Sequence, residues 1–479
     1  MMSKEDLTAY IHAKQSEARI LSHNHLEGID NYRLNFYKLK EHIDNFLKTN
    51  GEYYNRCIMM PGLRGLGKTT ILYQLYDYLI SEKRILEEDI LFLDLHDLKS
   101  ISDIGLSEIF NIYLEEMHHS IPPSLDKKIF LFVDEAQLDK NWANFAKLIF
   151  DKTFNVFMVF TGSSALDLEL NTDATRRITK ENIFPCSFEE YLLLKHNISL
   201  SNNNFKDLIL KGDMETVDKA IECEDLIKKE FISLNNLPNI ELKKYVYCQA
   251  FPFALNLNET IIYNLTNDII EKIVYDDLAD FYEFKNSTNS TILRIIAYLA
   301  IKKPGSTSNS AIAQSLNINI RTVNNILSAL EKSQLLFSIN AYGSAGKMLK
   351  KPKQHFFLSP TLKSAQNFRV GRYSLGHDKC YASLVENLVA TSLNRLSNET
   401  MQALGLFYDS NKKGVDFIVK HLERTIPIEV GIGSKTKSQV IKAINKYDAE
   451  YGILISNRTN SIKFENDVIY IPISSFALM

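Results

Sequence analysis

At 479 residues the chain is long enough for about three domains, each with its own core. A hydrophobic fraction of 45% and a charged fraction of 24% are those of an ordinary globular protein, and a net charge of −3 excludes a global basic field for nucleic acid. Cys57, Cys186, Cys223, Cys248 and Cys380 form no CxxC pair, the N-terminus lacks a signal-type apolar core, and no run of about 18 uncharged apolar residues occurs. A zinc ribbon, a disulfide framework and a membrane span are therefore not expected, and a cytoplasmic setting is.

Residues 1–52 read as polar helices with no recognisable chemistry. From 53 to 192 apolar runs alternate with helical periodicity, the pattern of a layered α/β domain. Candidate strands are Cys57–Met60, Ile90–Leu95, Ile129–Val133, Val156–Phe160 and Ile183–Phe184. The first runs into Gly62-Leu63-Arg64-Gly65-Leu66-Gly67-Lys68-Thr69-Thr70, and a helix with Ile71, Leu72, Leu75 and Leu79 on one face follows. Strand, glycine loop and helix in that order cradle phosphates: glycines let successive N–H groups turn inward, and the helix N-terminus adds its dipole. Lys68 then reaches the β- and γ-phosphates of ATP, and Thr69 ligates Mg2+.

The third strand ends in Asp134-Glu135, where Asp134 suits the metal shell and Glu135 the polarisation of the attacking water. The fourth ends in Thr161-Gly162-Ser163-Ser164, polar groups placed to sense a γ-phosphate or, equally, to cap a helix. Arg176-Arg177 follow, and an arginine there stabilises transition-state charge in its own or a neighbouring subunit, or is a solvated charge pair.

Several stretches together resemble prokaryotic AAA-superfamily ATPases that end in a restriction-endonuclease-like domain. They are Gly62–Thr70, Phe132–Gln137 with Trp142, Thr161–Ala165, Pro185–Tyr191, Phe251-Pro252, Lys272–Asp277 and Val415–Phe417. The resemblance runs from about Tyr53 to the C-terminus. It implies a RecA/AAA-like sheet with the acidic strand beside the P-loop strand. It also implies that Arg177 stands where the family has the arginine of a Gly-Arg pair, Arg176 replacing the glycine.

Residues 193–290 read as a helical lid. In 291–358, Thr291–Ala300, Ser310–Leu316 and Thr322–Leu330 have helical faces and a turn that fit a winged helix-turn-helix. Its second helix exposes Arg321, Asn324 and Asn325, and a lysine-rich wing follows with Lys347, Lys350, Lys351 and Lys353. Between Ile301 and Lys353 eight Lys/Arg face one acidic residue, Glu331, a local footprint for DNA phosphates on an otherwise acidic chain. Lids and protein-docking modules carry similar lysines.

Residues 359–479 mix helices with strands at Val415–Val419, Ile426–Val430 and Gly452–Ile455. Glu386 on a helix, with Asp416 and Glu429 on strands, has the order of a restriction-type Mg2+ site, but Gly431 stands where the lysine belongs. Lys435 and Lys437 are nearby substitutes. The expected whole is an α/β chain: a RecA/AAA-like P-loop domain, helical lid, winged helix-turn-helix and C-terminal restriction-endonuclease-like domain. It would bind and hydrolyse ATP with Mg2+ as a switch or motor on DNA or a protein partner, with a homo-oligomer among the expected partners. An ATP-gated nuclease and a nucleotide-dependent protein scaffold are the alternatives.

Overall fold

The computed structural model describes residues 3–49, 51–163, 172–200, 204–233, 237–278, 286–303, 307–372, 378–400, 403–432 and 437–479. The chain divides into two compact units, Met1–Phe184 and Pro185–Met479, in place of the five segments read from the sequence.

In the first unit, β1 (Cys57–Pro61), β2 (Ile90–Asp94), β3 (Ile129–Asp134), β4 (Val156–Gly162) and β5 (Thr179–Lys180) form a parallel sheet. The strand order is β2-β3-β4-β1-β5. β1, β3 and β4 are buried along their whole length, which is why they appear in the sequence as continuous apolar runs. Two expectations are corrected. The acidic strand β3 does not lie beside β1, because β4 intervenes. Ile183–Phe184 is not a strand: the ladder to β1 ends at Lys180, and only the Glu181 and Ile183 N–H groups continue along it, at 2.9 and 3.0 Å from the Met59 and Pro61 carbonyls.

The N-terminal residues are not a separate segment either. α1 (Lys4–Leu26) opens with a Ser3/Asp6 capping box and places Leu7 and Ile11 in the same core as β1, β3 and β4. α2 (Leu34–Lys48) buries Phe36, Leu39, Ile43 and Phe46. The last carbonyls of this stretch, Phe46, Leu47 and Thr49, each accept from Lys128 Nζ at 2.8 Å, a cation at a helix C-terminus. At the N-terminal edge of the sheet the buried Arg56 guanidinium lies 3.7 Å from the Phe150 ring centroid and donates to the Tyr53 and Phe150 carbonyls.

The second unit carries an eight-stranded sheet in the order β12-β13-β11-β10-β9-β8-β6-β7. Its strands are β6 (Leu336–Ala341), β7 (Gln354–Phe357), β8 (Leu404–Tyr408), β9 (Phe417–His421), β10 (Arg424–Gly431), β11 (Gly452–Ser456), β12 (Lys463–Glu465) and β13 (Val468–Pro472). β6 pairs antiparallel with β7 and, through Asn340 and Ala341, parallel with β8. The expected boundary at 358/359 therefore runs through a single sheet. The lysine-rich wing is also not a plain hairpin tip, because a short helix, Ala345–Lys350, sits between β6 and β7. Among the described residues no helix is long and apolar enough to cross a membrane.

Candidate nucleotide site

The glycine loop leaves the C-terminal end of β1, where open α/β sheets bind ligands. A Cβ on Gly62 would lie 2.6 Å from the Ile183 carbonyl oxygen, so only glycine fits there. Gly65 and Gly67 have φ of 78° and 79°, the left-handed region that lets the loop turn sharply. α3 (Lys68–Asp77) begins directly after Gly67 with no side-chain cap, the kind of helix start that binds anions. Lys68 is buried, and its ammonium folds back onto the Gly62 and Leu63 carbonyls, 2.9 Å from each.

Thr69 Oγ1 donates to Asp134 Oδ2 at 2.6 Å, and Thr161 Oγ1 donates to Asp134 Oδ1. Thr161 lies on β4, the strand between β1 and β3, so the intervening strand supplies the second hydroxyl on the acidic group. Asp134 is only 3% exposed. Burial pushes its carboxyl above the ordinary range, while the two threonine hydroxyls and Lys68 pull it back down. Hard oxygen donors from Thr69 and Asp134, close enough to share one small cation, fit Mg2+. Glu135 turns the chain out of β3 in a left-handed conformation, φ 53°, and its carboxylate accepts from Gln137 Nε2. Strain of that kind at a half-buried carboxylate is characteristic of working sites. Ser163 Oγ, 2% exposed as a residue, has no hydrogen-bond partner among the described residues; Ser164 lies outside them.

Arg177 lies elsewhere. It precedes β5, and its Nε pairs with Asp151 Oδ1 at 2.5 Å, on the helix (Trp142–Lys152) that leads into β4. Both residues are at the N-terminal edge of the parallel sheet, whereas Lys68 is beyond the opposite edge, a strand length of roughly 16 Å away at about 3.3 Å per residue. Arg177 thus does not face the P-loop of its own chain.

Glu386, Asp416 and Glu429, the expected second metal site, are not gathered into one cluster among the described residues. Among the described residues no group of three or more His, Cys, Asp or Glu side chains is arranged to hold a metal. Asp416 Oδ2 accepts the Val430 N–H at 2.9 Å, and the fully buried Glu429 accepts the Asp416 N–H at 3.2 Å. The two carboxylates staple the β9–β10 backbone together. Glu386 instead faces Lys303 Nζ at 3.4 Å. Gly431 ends β10, Lys437 is exposed, and Lys435 lies outside the described residues.

The two helices of the expected DNA-reading pair are Asn309–Leu316 and Ile320–Lys332, capped by Ser308 and Asn319 and separated by a left-handed Asn317. Val323, Ile326, Leu327 and Leu330 are buried, leaving Arg321, Asn324 and Asn325 on one exposed face. Lys350, Lys351 and Lys353 are exposed and Lys347 half-buried. Behind this face lies a cluster that sequence reading did not find: Ser338 Oγ donates to Glu331 Oε1, His355 Nδ1 lies 2.6 Å from Ser338 Oγ, and His355 Nε2 lies 3.3 Å from Asn309 Oδ1. Only long-range pairing of β6 with β7 brings these residues together.

Residues 54–192 match the AAA domain family, 240–366 a domain of unknown function (DUF8612), and 381–476 another (DUF4143). The chain is 25% identical over 407 residues to the uncharacterized protein MJ1544 of Methanocaldococcus jannaschii, covering 82% of this chain and 78% of that one. The ORC2 protein of Aeropyrum pernix is 10% identical, covering 72% of this chain and 96% of that one, with a TM-score of 0.34, too low to bear on the fold. The uncharacterized protein MJ1637 of Methanocaldococcus jannaschii is 33% identical over 454 residues, 93% of this chain and 89% of that one. The chain belongs to the family of MJ1637, and its residues 54–192 match the AAA domain model.

Proposed function

We propose that the chain hydrolyses ATP and uses the cycle as a switch on DNA. The observation that carries the ATPase part is Asp134, buried beneath the uncapped start of α3 with Thr69 and Thr161 on its two oxygens. In this reading Gly62, Leu63, Arg64, Gly65, Leu66, Gly67 and Thr70 wrap the phosphates. Lys68 leaves the Gly62 and Leu63 carbonyls for the β- and γ-phosphates, a stronger partner for its charge. Thr69 and Asp134 hold Mg2+, which when bound would neutralise charge developing on the phosphate oxygens. Glu135 orients the attacking water and takes its proton. Arg177, too far to act within its own chain, serves the site of a neighbouring copy, so hydrolysis requires a homo-oligomer.

The winged helix-turn-helix reading rests on the Arg321, Asn324 and Asn325 face and the neighbouring lysines. The restriction-endonuclease-like reading of the C-terminal strands is kept for fold and docking. The engagement of Glu386 by Lys303 and of Asp416 and Glu429 by backbone disfavours cutting.

Phosphate release from ATP tests the chemistry. Lys68→Ala is expected to lose binding and turnover, and Glu135→Gln to keep binding and lose turnover; wild-type hydrolysis in both refutes it. A mobility-shift titration tests DNA: retardation should weaken with salt, and neutralising Lys347, Lys350, Lys351 and Lys353 should reduce the log–log salt slope by about 3 to 4. No retardation at low salt redirects the reading to a protein partner.

A further inference from the structure

Residues before the glycine loop were read as carrying no chemistry, yet one of them grips the loop. Arg33 is the N-cap residue of α2, but its side chain makes no cap there. It is 5% exposed, and its guanidinium is turned inward. Nη1 donates to the Leu66 carbonyl at 2.8 Å, and Nη2 donates to the Phe184 carbonyl at 2.8 Å.

Both acceptors matter. Leu66 stands between Gly65 and Gly67, the two left-handed glycines of the loop, and two residues before Lys68. Its carbonyl belongs to the peptide whose N–H is that of Gly67, so fixing the oxygen fixes where that N–H points. Phe184 is the last residue of the first unit, and the neighbouring Ile183 carbonyl is the atom packed against Gly62. The loop is therefore held from behind at Gly62 and across its turn at Leu66, and one planar fork ties both supports together. A lysine has the charge but a single nitrogen, and cannot span two carbonyls in fixed geometry.

We propose that Arg33 is a positioning residue of the nucleotide site: it sets the Leu66–Gly67 peptide so that the loop is preorganised for the phosphates. This rests on the ATPase reading above. Because the fork acts on the cradle and touches no reacting atom, its loss acts on affinity more than on the chemical step.

The test compares Arg33→Ala, Arg33→Lys and Arg56→Ala in the full chain. Arg56 is likewise a buried arginine donating to backbone carbonyls, three in its case, but at the opposite edge of the sheet. Binding of a fluorescent non-hydrolysable ATP analogue with Mg2+, KM and kcat for ATP, and thermal transitions are measured on each. Arg33→Ala is expected to weaken analogue binding and raise KM by about tenfold or more, with kcat within about threefold, and Arg33→Lys to recover part of the loss. Arg56→Ala is expected to lower the thermal transition with affinity within about twofold. Affinity that follows thermal stability equally in the Arg33 and Arg56 variants overturns the proposal, as does unchanged affinity in Arg33→Ala.

Amide hydrogen exchange of the nucleotide-free protein supplies an arm that does not depend on ATP. Arg33→Lys should speed exchange in the peptide covering residues 62–70 and leave the peptide around Phe150 unchanged; equal protection of residues 62–70 in wild type and variant overturns the proposal. If wild type binds no analogue, the ATPase reading falls, and the exchange arm still decides whether Arg33 holds the loop.

Discussion

Thr161→Val removes one hydroxyl and almost no volume from the buried carboxylate site. Thr161 is fully buried, and its hydroxyl is one of two on Asp134; without it Oδ1 keeps the Glu135 N–H at 3.1 Å and gains no water in exchange. Losing a hydrogen bond to an ionised acceptor costs about 1.5–3 kcal/mol, whereas a neutral pair is worth about 0.5–1.5 kcal/mol. The penalty should therefore depend on whether Asp134 is charged. Burial holds its carboxyl above the ordinary range, so the folded, nucleotide-free protein takes up a proton more readily than the unfolded chain. Stability attributable to Asp134 is thus highest at low pH and falls as pH rises from the ordinary carboxylate value through the raised one. Thr161→Val removes one of the influences that lower the folded value, so the fall extends to higher pH. For a unit of this size about 2 kcal/mol corresponds to a drop of roughly 4–8 °C in the transition at pH 8, and to clearly less near pH 4. Scanning calorimetry of both proteins across pH 4 to 8 measures this. A difference that is flat with pH would refute the coupling of Thr161 to the ionised Asp134.

Arg177→Ala should bind nucleotide normally and hydrolyse slowly, and mixing it with Lys68→Ala should restore part of the turnover; silent mixtures at every ratio count against action between subunits. In the second unit, Lys363 is 1% exposed with its ammonium 2.9 Å from the Lys302 carbonyl, and burial pushes its pKa down to about 8. The unfolded lysine holds its proton longer, so stability should rise with pH from about 8 towards the ordinary lysine value of about 10.4, and denaturant titrations of Lys363→Met should lose that slope. Glu331 is the opposite case: burial alone would raise its pKa, but bonds from His355 and Ser338 hold it below the ordinary range. Its contribution should be present at neutral pH and disappear as pH falls through the lowered value. Glu331→Gln should therefore cost about 1–3 kcal/mol near pH 7 and little near pH 2, read from urea unfolding.

What the sequence disclosed was local. The P-loop is a contiguous motif, and β1, β3 and β4 are apolar throughout because both faces are covered, so residues and elements could be read together. The strand order was not legible, because nothing in β3 or β4 taken alone says which lies next to β1. That order is what puts Thr161 on Asp134. Arg33 escaped notice for a similar reason: its two acceptors are 33 and 151 residues away. Arg177 was assigned to transition-state charge from its position after the fourth strand and from the family resemblance; with β5 at Thr179–Lys180 it falls at a strand's start, at the other edge of the sheet. Asp416, just before β9, and Glu429, on β10, lie against each other, but periodicity does not tell whether a carboxylate meets a metal or a backbone N–H.

The pairing of β6 with both β7 and β8 has a practical consequence for anyone dividing this chain. A fragment ending at 358, where the helices and hairpin seem to form a complete module, would cut β6 from β8 and expose the Asn340–Ala341 backbone as an open sheet edge. Such a fragment should self-associate through that edge. A fragment beginning at 359 would have β8 as its first strand, with the matching edge bare. The workable cut lies between Phe184 and Pro185, where one compact unit ends and the next begins.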